Sequence, residues 1–182
     1  MEKSNSYKGN WDWENFFKSK DKFWRIKDYV FLEEVFDIST LTGTLLDVGC
    51  GLGDGISYFQ SKYNNIKEFY AVDFSDIAID TCIRFKQCSN LHFFKHNIMN
   101  SFDNKYDNVI CLQTIEHLLD PIKAINNLIK ATNKWLIVSS PYRNARPDDD
   151  HMWSFDENDF KDLLDFHCLG QQNKNIYWIR KF

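Results

Sequence analysis

Residues 44–55 read TLLDVGCGLGDG. The apolar run Leu45, Leu46 and Val48 has the length of a short buried strand, and Gly49, Gly51, Gly53 and Gly55 stop it abruptly. Glycine accepts φ > 0 and has no Cβ, so a ligand can approach the bare backbone closely. Ile56, Tyr58 and Phe59 then suggest a helix whose first N–H groups face the same loop. Strand, glycine loop and helix together make a site of nucleotide type.

The details of the loop decide which nucleotide. A dinucleotide fingerprint G-x-G-x-x-G begun at Gly49 needs glycine where the chain has Asp54, and begun at Gly51 it fails at Ile56. An NAD-linked oxidoreductase is thereby disfavoured. What stands is D-x-G-x-G-x-G, Asp47 to Gly53. It resembles motif I of the class I S-adenosylmethionine (SAM) dependent methyltransferases, and the downstream matches give the resemblance to the small-molecule, ubiquinone-biosynthesis-like type. That resemblance covers roughly residues 40 to 180 and implies SAM as cofactor, held by Asp47, Gly49, Cys50, Gly51 and Gly53 in this loop.

The chain has 182 residues, within the ~100–200 of one domain. We expect a single domain over 1–182, with an N-terminal helical lid at 1–38 and a SAM-binding core at 39–182. Hydrophobic residues make up 43% and charged residues 26%, as in soluble globular proteins, and aromatics at 16% will carry much of the packing. A net charge of −4 argues against a general electrostatic grip on nucleic acid or an anionic membrane. No apolar run approaches the ~18–20 residues of a membrane span, and the first residues lack the apolar centre of a signal peptide. Five scattered cysteines without a C-x-x-C pair read as reduced, buried small hydrophobes of a cytoplasmic protein. A monomer or homodimer is expected.

From residue 11 to 37 aromatic and aliphatic side chains recur at helical spacing from Phe23 onward, and an earlier short helix fits Asp12 to Ser19. Most of these side chains read as core. Trp11, Trp13, Trp24 and Arg25 are the expected exceptions, with Trp24 and Arg25 facing substrate, because aromatic faces attract methyl sulfonium and ammonium groups. After the glycine loop the pattern alternates. Strands are expected at 69–74, 91–95, 109–112 and 135–139, and helices at 76–87, 121–130 and 157–166. Short strands near Leu169 and at 176–179 close the chain as an antiparallel hairpin. The fold class is α/β: a Rossmann-like mixed sheet of about seven strands, helices on both faces, the last strand antiparallel.

The site residues follow from strand ends. Asp73 closes the second strand near the ~20-residue offset at which an acid accepts from ribose hydroxyls. The resemblance places Phe74 against adenine, and Asn97 with Ile98 at the adenine amino group, where the family often has aspartate. Gln113, in CLQTIEHLLDP, would bring its backbone to the methionine end of SAM. In the same segment Asp120 is a helix N-cap before Pro121. His117 could take a proton from the acceptor, its unperturbed pKa of ~6.5 suiting a base near neutrality. The long polar loop SPYRNARPDDDHMWSF, residues 140–155, leaves the carboxyl end of a strand. His151 and Phe155 match a family His-x-x-x-Phe stretch, which makes His151 the second candidate base. Tyr142, Arg143 and Arg146 could hold a phosphate or carboxylate of the substrate.

No metal is expected. His92 and His96 flank a strand, where four residues span about 13 Å. Asp148, Asp149, Asp150 and His151 could offer ligands, but successive residues of extended chain point alternately. The sequence therefore reads as a SAM-dependent methyltransferase acting on a small polar metabolite at oxygen, such as a sugar, a sugar nucleotide or a related cell-surface polysaccharide precursor. N-methylation of an amine or amino alcohol, or a catalytically inactive SAM-binding partner protein, are the alternatives.

Overall fold

The computed structural model describes residues 1–3, 12–18, 26–143, 150–170 and 174–182. Strand β1 (Glu2–Lys3) precedes helices α1 (Trp13–Lys18) and α2 (Ile26–Val35). The apolar run of the glycine stretch forms β2 (Gly43–Val48), and α3 (Asp54–Lys62) starts directly behind the loop. Then come β3 (Ile66–Asp73), α4 (Asp76–Phe85), β4 (Leu91–Lys95), β5 (Tyr106–Leu112), α5 (Pro121–Ala131) and β6 (Thr132–Pro141). The chain closes with β7 (Trp153–Ser154), β8 (Phe166–Gly170) and β9 (Asn175–Lys181).

Seven strands form one sheet in the order β4-β3-β2-β5-β6-β9-β8. The first five pair in parallel, while β9 runs antiparallel to both β6 and β8. This is the Rossmann-like mixed sheet that the sequence implies. Strand alternation sorts the core into two layers. Leu45, Ile110, Ile137 and Ile179 face α2 and α3, whereas Leu46, Val109, Leu136 and Trp178 face α5. The chain moves outward from β2 through β3 to β4, then returns to β5 on the other side, so the strand order reverses at the β2–β5 boundary. Ligand sites of open α/β sheets lie at such a switch point, beyond the carboxyl ends of the strands.

Local chemistry explains where the helices begin. Ser75 caps α4 by accepting from the Ala78 N–H at 3.1 Å, and Asp120 caps α5 through the Lys123 N–H at 2.9 Å with Pro121 in the first turn. Asp54, the residue that breaks the dinucleotide pattern, is a buried acid in the first turn of α3 and pairs with Lys86.

One expected helix is absent. Residues 157–163 form turns instead, because Phe160 takes a left-handed φ of 62° and drops its ring between Phe155 and Trp178. Asp156 and Asp159 divert backbone N–H groups as well: Asn158 N donates to Asp156 and Asp156 N donates to Asp159.

Candidate active site

The glycine loop is anchored to the neighbouring strand. The N–H groups of Gly49 and Cys50 both donate to the Val72 carbonyl, at 2.8 and 3.0 Å. The Gly51 N–H donates to Asp73 at 3.0 Å, and the other Asp73 oxygen accepts from Ser75 N at 3.0 Å. Asp73 thus orders the loop from within the cavity wall that it also lines. Gly51 needs its φ of 54°, and a Cβ there would lie 3.3 Å from the Phe17 ring. A Cβ on Gly49 would strike the Thr114 side chain at 2.4 Å.

These groups line one cavity of about 270 Å³. Gly49, Gly51, Asp73, Phe74, Asn97, Ile98, Gln113 and His117, all singled out from sequence, lie in its wall. Phe74 is 44% exposed, a large flat ring presented at the mouth. Asn97 also has a turn role, its side-chain oxygen accepting from Met99 N at 2.9 Å. Gln113 is held at φ 50° by Ser139, whose backbone carbonyl accepts from the Gln113 N–H at 3.0 Å and whose hydroxyl accepts from its side-chain amide at 3.2 Å. A left-handed non-glycine residue at a strand end facing a cavity is a common mark of a functional position.

The other loop residues stand behind the wall. Asp47 is buried and accepts from the Tyr29 hydroxyl; Cys50 directs its thiol to the Gly51 carbonyl at 3.6 Å. Gly53 caps α3 in a left-handed conformation, φ 72°, backed by Phe93 and Cys82. Burial pushes the Cys50 and Cys111 thiols well above their usual pKa.

Sequence reasoning missed part of the cavity. Phe17, Thr114, Leu118 and Leu119 line it together with Trp13. The signal lay in Leu118-Leu119 just before the α5 cap, since Leu119 is left 79% exposed at the rim. Helix α1 therefore lies on the cavity through Trp13 and Phe17, whereas α2 packs Tyr29 and Leu32 into the core.

At the far end His117 and His151 meet, with ring centroids 4.9 Å apart. The Met152 N–H donates to the Glu116 carbonyl at 2.8 Å and the Trp153 indole donates to the Leu118 carbonyl at 2.7 Å. These two bonds fold the 140–155 loop back onto the segment after β5. His117 Nδ1 lies 3.1 Å from the Asp150 carbonyl, which can only accept, so Nδ1 carries a proton and the other ring nitrogen, Nε2, is turned toward Glu116 at 3.7 Å. Trp13 meets the His117 ring edge-on at 4.9 Å.

Tyr142 and Arg143 are placed elsewhere. Both reach Glu157, at 2.7 Å each, and neither lines the cavity. The Glu157 bond raises the Tyr142 pKa above its usual value. Trp11, Trp24, Arg25 and Arg146 lie outside the described residues. His92 pairs with Glu68 and His96 stacks on Phe102, so the two point to separate partners.

Three comparisons bear on this geometry. A family model described as a methyltransferase domain matches residues 25–167. A tRNA U34 carboxymethyltransferase of Campylobacter curvus is 31% identical over 99 residues, covering 50% of this chain and 31% of that protein. The match thus spans under a third of that relative's length. Among solved structures, the N-methyltransferase NodS from Bradyrhizobium japonicum in complex with S-adenosyl-L-homocysteine superposes with a TM-score of 0.72 at 17% identity, covering 93% of this chain and 97% of that one. A SAM-dependent methyltransferase from Aquifex aeolicus gives 0.69 at 17% identity, with 93% and 98% covered. The family match over most of the chain, on a sheet with this order and a glycine loop at its switch point, places the chain in the methyltransferase domain family, with the class I fold of the SAM-dependent enzymes.

Proposed function

We propose that this chain is a SAM-dependent methyltransferase that methylates an oxygen of a small polar metabolite, such as a sugar, a sugar nucleotide or a related cell-surface polysaccharide precursor. The observation that carries the reading is the continuous cavity wall from the glycine loop and Asp73 to His117. Its residues suit the cofactor: Gly51 leaves bare backbone, Asp73 offers acceptor lone pairs for ribose, Phe74 presents a flat ring for adenine, and Gln113 closes the other end. Bound there, SAM supplies a methyl group already activated on sulfonium.

The chain's own residues then have two tasks. They must align the acceptor and exclude water, for which Trp13, Phe17, Leu118 and Leu119 provide an apolar enclosure. They must also help a hydroxyl of high pKa lose its proton, a role that we assign to the His117–His151 pair on the strength of the two rings lying 4.9 Å apart with His117 in the cavity wall. Of the N-terminal segment, α1 serves as the lid through Trp13 and Phe17, while α2 belongs to the core. Among the described residues no helix is long and apolar enough to cross a membrane, and the free cysteines suit a cytoplasmic setting.

Calorimetry with S-adenosyl-L-homocysteine tests the cofactor. Transfer of label from radioactive SAM to a panel of sugars, sugar nucleotides and amines tests the acceptor. Absence of S-adenosyl-L-homocysteine binding overturns the cofactor reading, and labelling of amines alone overturns oxygen as the acceptor.

A further inference from the structure

Glu116, His117 and His151 bring one ligand atom each to a common point, all within 4.8 Å of one another. We infer that this cluster is a divalent-cation site at the acceptor end of the cavity, with the two imidazoles and the Glu116 carboxylate as ligands. The inference deepens the methyltransferase reading, since it says how the histidine pair acts on the acceptor.

Four observations carry it. The set is enclosed: Glu116 is 1% and His151 7% exposed, and the His117 side chain 9%. A carboxylate and two imidazoles gathered at one enclosed point are the donor types that a first-row divalent cation takes. The spacing fits too. His117 Nε2 and Glu116 Oε1 are 3.7 Å apart, wider than a direct hydrogen bond, whereas two donors each about 2.1 Å from one ion sit roughly 3–4 Å apart. The ring is oriented for it as well. His117 Nδ1 donates to the Asp150 carbonyl at 3.1 Å, with an Asp150 carboxylate oxygen 3.3 Å away, so that Nε2 is the ring atom directed to Glu116. Ligating histidines are characteristically oriented by such a bond from the other ring nitrogen. Finally, His117 lines the cavity, so an ion held there has an open side toward the acceptor.

The donor chemistry narrows the ion. Two imidazoles and one carboxylate with open positions suit first-row divalent cations such as Mn²⁺, Fe²⁺, Co²⁺ or Zn²⁺, and no thiolate belongs to the set. A cation there lowers the pKa of a hydroxyl that coordinates it. This departs from the expectation of no metal, which rested on His92 with His96 and on the run 148–151. The ligands converge only because the bond from Met152 to the Glu116 carbonyl brings His151 beside His117.

The test uses tag-free, chelator-treated full-length protein titrated with Co²⁺ and with Mn²⁺, read by visible absorption and by loss of the free Mn²⁺ paramagnetic resonance signal. The expected result is one ion per chain and a nitrogen/oxygen-ligated Co²⁺ spectrum, with binding weakened at least tenfold in Glu116→Gln and in His151→Ala. Affinity for S-adenosyl-L-homocysteine should stay within about twofold in both. Glu116→Gln is near-isosteric and keeps the test valid if His151→Ala fails to fold. No stoichiometric binding, or binding unchanged in Glu116→Gln, overturns the site. Failure of the wild-type protein to bind S-adenosyl-L-homocysteine while it binds the cation would instead overturn the proposed cofactor site and leave the cation site standing.

Discussion

The phenolic hydroxyl of Tyr29, on α2, donates to the buried carboxylate of Asp47, two residues ahead of the first loop glycine. The acid of the D-x-G-x-G motif is thereby tied to the N-terminal helix layer. Burial, with Asp47 second, holds the Tyr29 pKa well above its usual value, and burial does the same for the Cys50 and Cys111 thiols. A group whose folded pKa is raised keeps its proton when the unfolded chain loses it. Its contribution is fully present below the unfolded pKa, about 8.5 for cysteine and 10 for tyrosine, and is lost as pH rises beyond. Urea midpoints should therefore hold to about pH 8.5 and then fall, with Tyr29→Phe flattening the fall above about pH 10. At pH 7 the same variant should lose about 1.5–3 kcal/mol, the worth of a hydrogen bond to a charged group. An unchanged midpoint in Tyr29→Phe would show that the bond does not stabilise the fold.

Gly55 serves the same ring. Its backbone is ordinary helix, yet a Cβ built on it would lie 1.7 Å from Tyr29 Cε2. Helix propensity alone favours alanine by about 1 kcal/mol, but overpacking a core costs typically 1–3 kcal/mol. Gly55→Ala should therefore destabilise the protein, and should be far better tolerated when Tyr29 is also alanine. Equal cost in both backgrounds, measured by a double-mutant cycle in urea, would separate the glycine from the ring.

Asp73 should reveal two roles when changed. Its oxygens accept from Gly51 N and Ser75 N, so Asp73→Asn removes charge and sets an amide N–H against one backbone donor. We expect a loss of about 1.5–3 kcal/mol in the absence of any cofactor, and S-adenosyl-L-homocysteine affinity lowered at least about tenfold. Weaker binding with an unaltered unfolding midpoint would reduce Asp73 to a ligand contact alone.

Legibility in the sequence followed the range of the interactions. Strands β2 to β6 and helices α3 to α5 announce themselves through local period and caps, and Leu91–Lys95 is framed by its turn residues. The turn at 157–163 was illegible because a single left-handed residue, Phe160, is stabilised by distant aromatic partners on β9 and at Phe155. Asp73 could be placed by its offset from the loop, but its bond to Gly51 depends on how β2 and β3 register. Likewise His117 and His151 each stood out alone, while their meeting with Glu116 depends on two loop hydrogen bonds that no spacing encodes. Local pattern gave the frame; long-range contacts assembled the site.

Helix α1 is held on the cavity through the acid in its first turn. Glu14, between the cavity residues Trp13 and Phe17, accepts at the start of α4 from the Ser75 hydroxyl at 2.8 Å, Asp76 N at 3.1 Å and Ile77 N at 3.3 Å. A carboxylate at a helix N-terminus answers orphan N–H groups and the positive end of the dipole. Asp73 and Phe74 immediately precede this cap, so the bond fastens the lid beside the proposed cofactor site. Because α2 to α5 carry the core, Glu14→Ala should leave the unfolding midpoint nearly unchanged. Dissociation of S-adenosyl-L-homocysteine, followed by stopped-flow fluorescence of the tryptophans, should speed up at least about threefold, consistent with loss of roughly 0.7 kcal/mol of lid closure. Glu14→Gln, which keeps an acceptor oxygen without the charge, should fall between. If the alanine variant releases the ligand at the wild-type rate, α1 is packing and the lid is held by other residues.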